Sequence, residues 1–226
     1  LELGRGRGGL GREHARAALD SHGVSADRTH LHVVATDRVW LRDSAPIGVH
    51  DAAGDVVLLS WAFNGWAKYD NWQQDALIAR PIAAVAGRPV EEPRRHDTGE
   101  RIVLEGGGID VNGQGLLLVT EEWLLSDTQV RNPGLSRADY EAIFEKWLGV
   151  RRTLWLGDGC VGDDTHGHVD DIARFVSADT VVLAVEEEQD RHGREPIGRR
   201  LEVEIDRGGD AAHVADLQVE HDQVGL

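Results

Sequence analysis

Asp163-Asp164-Thr165-His166-Gly167-His168-Val169-Asp170-Asp171 is the densest polar run in the chain. In an extended strand, alternate residues share a face. His168 and Asp170 are therefore expected to point the same way, with His166 placed to join them. Such a set serves two chemistries. In the first, His168 is a general acid/base and Asp170 binds a cation beside it. A guanidinium suits that place, because its planar fork pairs with a carboxylate through charge-assisted hydrogen bonds. A second carboxylate, Asp43 or Glu105, would hold the opposite side, since an uncompensated buried charge is very costly. In the second, His166, His168 and Asp170 bind a metal; imidazole and carboxylate are competent ligands for zinc, manganese or iron. A polar loop capped by its own Asp and His is a third, purely structural reading. The segment alone leaves these open.

Outward from His168, residues 169–176 read as a strand, 177–179 as a turn and 180–185 as the return strand. The same plan occurs twice upstream. Asp43 precedes a strand restarting at Pro46, a turn at 51–55 and a strand over 56–61. Glu105 ends a strand over 101–104 and precedes a strand over 109–111, a turn at 112–115 and a strand over 116–120. Asp43, Glu105 and His168 stand 62 and 63 residues apart, and Trp61, Trp123 and Glu186 each follow them by 18. This spacing points to an internal repeat of a mixed β/α unit. Units packed around an axis would bring the three polar residues to its centre.

Glu105 is followed by Gly106-Gly107-Gly108, a backbone that can bend and admit a ligand closely. Trp40 stands three residues before Asp43. Trp66 lies in an aromatic stretch with Phe63, Tyr69 and Trp72. Tryptophan faces suit the walls of an alkyl-guanidinium slot, or simply the core. Three helices are expected elsewhere: residues 13–19, residues 71–86 with a kink or break at Pro81, and one opening at Ser136. The last has Asp139 as a capping-box partner and a stripe of Tyr140, Ile143, Phe144, Trp147 and Leu148. Residues 31–35 and 153–156 read as strands, 157–167 as a loop, and 1–10 as a frayed end.

The composition limits the function classes. The net charge of −16 argues against a nucleic-acid partner and favours a cationic ligand. No run of about 18 apolar residues exists, so nothing is expected to span a membrane. Cys160 is the one cysteine. It excludes an internal disulfide or a thiolate zinc site, and fits a reducing cytoplasm. Asp158, Asp163 and Asp164 near it would raise its thiol pKa, so it is read as incidental. The chain opens at Leu1 and contains no Met, so it is not expected to begin at a natural start.

Five segments in order carry a resemblance over about residues 32–185. These are Trp40-Leu41-Arg42-Asp43-Ser44-Ala45-Pro46, Phe63-Asn64-Gly65-Trp66, Glu105-Gly106-Gly107, Arg131-Asn132-Pro133, and Gly162-Asp163-Asp164-Thr165-His166-Gly167-His168-Val169-Asp170. Together they resemble the agmatine deiminase and bacterial-type peptidyl-arginine deiminase family. The departures are local: Ala45 and Ala67 where the family usually has Gly, and Trp123 where it often has Cys.

The resemblance implies an α/β fold: a pentein-type β/α propeller of repeated mixed blades, here partial, with three to four of five. It divides the chain into a partial N-terminal blade or frayed segment (1–30), propeller blades (31–188) and a divergent tail of open fold (189–226). It implies hydrolysis of agmatine to N-carbamoylputrescine and ammonia, toward putrescine, in the cytoplasm, with no cofactor and no metal. Asp43 and Asp170 would bind the guanidinium, and His168 would be the acid/base. Glu105 would lie in the same polar cluster, and Trp40 and Trp66 would flank the substrate.

The family's nucleophile is a cysteine in its last blade, within a segment this chain lacks, so the 226 residues alone are expected to be inactive. Three alternatives stand beside agmatine hydrolysis: peptidyl-arginine deimination, a metal-dependent hydrolase on His166, His168 and Asp170, and a non-catalytic guanidinium-binding module. No residue pattern decides for or against a homo-oligomer.

Overall fold

The structure, a computed structural model, describes residues 2–3, 8–185 and 199–204. The chain forms two compact units, Leu1–Glu105 and Gly106–Leu226.

In the first unit, β1 (Glu2–Leu3) and β2 (Val33–Val34) pair in parallel, with α1 (Gly8–Ser21) between them in sequence. A single helical turn, α2 (Leu41–Ser44), leads into the hairpin of β3 (Ile47–His50) and β4 (Val56–Leu59). The Asp51 carboxylate closes that turn by accepting the N–H groups of Ala53 and Asp55, each at 2.9 Å. A 3-10 turn at Asp75–Leu77 precedes α3 (Ala79–Ala86), and β5 (Val90–Glu91) returns parallel to β4. Along β4, Val57 and Leu59 turn inward, toward a core that includes Trp61, Phe63, Ile78 and Ile102.

The second unit repeats this plan. β6 (Asp110–Val111) and β7 (Leu116–Thr120) form a hairpin, α4 (Glu121–Leu125) and α5 (Arg137–Leu148) follow, and β8 (Arg152–Leu156) returns parallel to β7. The Ser136 hydroxyl accepts the Asp139 N–H, and the Asp139 carboxylate accepts the Ser136 N–H, which is the reciprocal cap foreseen for α5. Tyr140 and Phe144 are the buried members of its stripe. A third hairpin, β9 (Ala173–Phe175) with β10 (Thr180–Val185), is extended by β11 (Arg199–Glu204), which runs antiparallel to β10. The first strands of the three hairpins begin at Ile47, Asp110 and Ala173, so the period read from polar residues is also a period of strands. Two sheets share one topology, and the third departs from it in the sense of its last strand.

Several expectations change. Residues 169–176 are not one strand: Val169–Asp171 form a 3-10 turn and only Ala173–Phe175 extend. Val169 is fully buried among Leu118, Leu156 and Val181, and the Ile172 N–H closes the turn onto its carbonyl at 3.1 Å. His168 and Asp170 therefore lack the shared face of a strand. Pro81 does not break its helix. It stands in the first turn of α3, where a missing N–H costs nothing, and the division of 71–86 falls earlier, at Ile78. The strand expected over 101–104 consists of single bridges, Ala62 to Val103 and Arg94 to Arg101. The strand expected over 31–35 shortens to β2, and the helix over 13–19 lengthens to α1. The reading of 189–226 as a tail lies outside the described residues except for β11, as does the repeat mark at Glu186. No helix among the described residues is long and apolar enough to cross a membrane.

Candidate functional site

Asp43 sits in α2 with 7% of its surface exposed. The Trp66 indole N–H donates to its Oδ2 at 3.1 Å. Trp66 reaches that place through an unusual backbone: Gly65, Trp66 and Ala67 all have positive φ, at 67°, 60° and 52°. A side chain at Gly65 would meet the Tyr69 carbonyl oxygen at 2.7 Å, so only glycine fits there. The Asn64 side chain accepts the Ala67 N–H at 2.9 Å and holds the turn. Trp66 is buried edge-on between Phe63 and Tyr69. Trp40 is its opposite: it ends the loop before α2 and is 59% exposed.

Two residues not singled out from the sequence organise this part of the first unit. The Arg38 guanidinium stacks over Tyr69, 3.9 Å from the ring centre, and lies 5.5 Å from that of Trp66. Asp75, 1% exposed, accepts the Asp37 and Arg38 N–H groups at 3.0 and 3.3 Å, and Asp37 returns the contact by accepting the Gln74 N–H at 2.9 Å. Burial pushes the Asp75 carboxyl above its usual pKa, outweighing the two N–H donors. The signal for Arg38 was adjacency, since Asp37-Arg38 stand just ahead of Trp40; Asp75 carried no such mark. Glu105, at the end of the first unit, is fully buried.

In the second unit, His168 is 2% exposed, and its ring meets Trp123 edge-on at 5.7 Å. Trp123 determines the glycine beside it: a Cβ on Gly108 would lie 2.4 Å from the indole, so this glycine serves packing. Asp163 builds the turn that presents His168. Its carboxylate accepts the Thr165 N–H and hydroxyl at 2.8 and 2.5 Å, the Gly167 N–H at 3.0 Å and the His168 N–H at 3.2 Å. Burial raises the pKa of this carboxyl, but the four donors together overcome it and hold the group below its usual range. Asp171 shifts the other way, raised by burial and then by the charges of Asp163 and Asp170. Asp170 is half-buried in the 3-10 turn directly after His168. Arg131 and Asn132 are buried. Arg131 donates to the carbonyls of Gln129 and Thr165, and Asn132 donates to the Tyr140 hydroxyl. This arginine therefore braces the same loop.

His166 does not join His168. Its ring lies between the Ser126 hydroxyl, 3.1 Å from Nε2, and the Glu122 carboxylate, 3.3 Å from Nδ1. Among the described residues no three of His, Cys, Asp and Glu gather as a metal would require, and the set of His166, His168 and Asp170 is not assembled. Cys160 is exposed, its thiol 3.9 Å from the Val161 carbonyl. The geometry thus offers a buried carboxylate with an indole donor in one unit. In the other it offers a buried imidazole on a rigid turn with a carboxylate two residues on.

The sequence model of the Porphyromonas-type peptidyl-arginine deiminases matches residues 10–223. An agmatine deiminase of Ectopseudomonas mendocina is 38% identical over 182 residues, covering 78% of this chain and 46% of its own length. One from Pseudomonas aeruginosa is 37% identical over 183 residues, with 79% and 46% covered. The chain spans about half the length of the curated relatives it matches. Among solved structures, the Enterococcus faecalis agmatine deiminase superposes with a TM-score of 0.61 at 36% identity, over 70% of this chain and 42% of that one. A cysteine-to-serine variant of the C. jejuni agmatine deiminase, solved with substrate bound, superposes with a TM-score of 0.64 at 25% identity, over 78% and 51%.

Proposed function

The chain belongs to the Porphyromonas-type peptidyl-arginine deiminase family, and from that premise we propose that it carries the substrate-holding and proton-transferring residues of an agmatine deiminase. The observation that carries this reading is the deep burial of Asp43 and His168, each just ahead of a hairpin at equivalent points of the repeat. Buried ionisable side chains concentrate at functional sites. Asp43 and Asp170 are the guanidinium carboxylates of this reading, and His168 is the acid/base. Glu105 is a further acidic group of the same chemistry, and Trp40 and Trp66 are the aromatic residues of substrate binding. The substrate is a small cationic guanidino compound, agmatine ahead of peptidyl-arginine, and the product is N-carbamoylputrescine on a route to putrescine. The proposed architecture is a pentein propeller, and the proposed location is the cytoplasm.

In this chemistry a thiolate attacks the guanidinium carbon, and ammonia departs with a proton from His168. Water then cleaves the thiouronium adduct with His168 acting as base. Within these 226 residues the sole thiol is the exposed Cys160. We therefore expect a protein of these residues alone to bind agmatine without turning it over. Calorimetry with agmatine, and with a blocked arginine peptide as competitor, tests binding and substrate choice together. No heat of binding with either ligand would overturn the reading. Ureido product well above a no-enzyme control would overturn the assignment of Cys160 as incidental.

A further inference from the structure

We propose that His166 is a positioning residue for His168, a pin that locks the loop over residues 157–167 onto α4. The inference rests on the reading of His168 as the acid/base and deepens it. Three observations carry it. First, His166 has a left-handed backbone, φ 61°, a conformation uncommon for residues with a Cβ, although histidine adopts it more readily than most. Second, its ring bridges two groups: Nδ1 faces the Glu122 carboxylate on α4, and Nε2 faces the hydroxyl of Ser126, which caps that helix. Third, the same Glu122 carboxylate holds the other limb of the loop, for its second oxygen accepts the Gly159 N–H at 2.7 Å. One carboxylate thus ties together residues 159 and 166.

The two limbs meet so closely that a Cβ on Gly159 would lie 2.5 Å from the Gly167 Cα. From there the chain has one course, with the Gly167 carbonyl accepting the Thr120 hydroxyl and the next residue being His168. Carboxylate, imidazole and hydroxyl stand in the order of an acyl-transfer relay. Here, however, the hydroxyl accepts the Thr128 N–H and the carboxylate is shared with the loop backbone. Both ends are committed to holding the fold. The Ser126 hydroxyl can stay on Nε2 whichever tautomer the ring adopts, because a serine hydroxyl accepts as readily as it donates.

The test uses the 226-residue protein with isotope-labelled histidine. His166→Gly and His166→Asn both tolerate a left-handed backbone, so neither disturbs the chain's course by sterics, yet both lack an imidazole to bridge. The His168 ring lies against Trp123 and within electrostatic reach of Asp171. We expect its Cε1–Hε1 signal to move and its titration midpoint to shift by about half a pH unit or more. Agmatine affinity should fall about tenfold. His166→Gln, whose amide still offers Glu122 a donor, should restore part of both. Ser126→Ala, which leaves the His166–Glu122 contact, should shift the signal less and in the same direction, and it decides the matter if a His166 variant does not fold. An unchanged His168 signal and midpoint in folded His166→Gly or His166→Asn overturns the pin. Failure of the unaltered protein to bind agmatine defeats the guanidinium reading instead, while the His168 signal still decides the pin.

Discussion

Buried Asp75 and half-buried Asp163 have carboxyl pKa values shifted in opposite directions because their partners differ. Asp163 has four donors converging on it, and Asp75 has two backbone N–H groups on one oxygen and deep burial around the other. The folded state therefore favours ionised Asp163 and protonated Asp75. For Asp163 the contribution to stability is full above the usual carboxylate pKa of 3.8 and is lost as pH falls through its lowered folded value. Asp163→Ala strands the four donors and should cost about 3 kcal/mol or more in urea denaturation at pH 7. Asp163→Asn, which keeps one acceptor oxygen, should cost less. For Asp75 the contribution is full below 3.8 and declines as pH rises through its raised folded value. Asp75→Asn retains an acceptor for the Asp37 and Arg38 N–H groups. Relative to the unaltered protein, it should look better at pH 7 than at pH 3.5. Equal differences at the two pH values would contradict that account.

Glycine and capping positions matter at the scale of elements for distinct reasons. Gly108 leaves room for the Trp123 ring, which also stands nearly perpendicular to the His168 ring. Gly108→Ala is expected to cost about 1–3 kcal/mol by overpacking, and to alter the near-ultraviolet circular dichroism that reports tryptophan environment. Gly87, the left-handed cap of α3, has open space around its Cα. Gly87→Ala should cost about 1 kcal/mol through backbone conformation alone, with that spectrum unchanged. Ser136→Ala removes one half of the reciprocal cap of α5 and should cost about 1 kcal/mol.

The recurring unit, complete twice among the described residues, is a hairpin, a helical connection and a third strand. Each polar residue of interest lies just ahead of a hairpin, where backbone direction changes and side chains are freed from sheet pairing. In two units the third strand returns in parallel, which requires a crossover and receives one through α3 or through α4 and α5. The full set of groups in these 226 residues should bind agmatine without turning it over. Asp170→Asn should abolish that binding, with calorimetry as the measurement. Persistent binding would remove Asp170 from the guanidinium-holding set.

The sequence by itself determined the period, the hairpins, the reciprocal cap at Ser136 and the family resemblance. Each depends on residue types at fixed separations along the chain, and such separations survive without knowledge of distant neighbours. Only the tertiary structure decided that His168 and Asp170 stand on a turn, because the burial of Val169 against Leu118 of β7, Leu156 of β8 and Val181 of β10 outweighs the local preference for extension. It likewise decided that Trp66 gives its indole N–H to Asp43 while Trp40 faces solvent, and that Gly108 serves Trp123. The placement of His166 on Glu122 and Ser126, apart from His168, was decided there too. Motif spacing names which residues are chemically equipped. Which of them are buried, and against whom, is fixed by contacts between segments tens of residues apart.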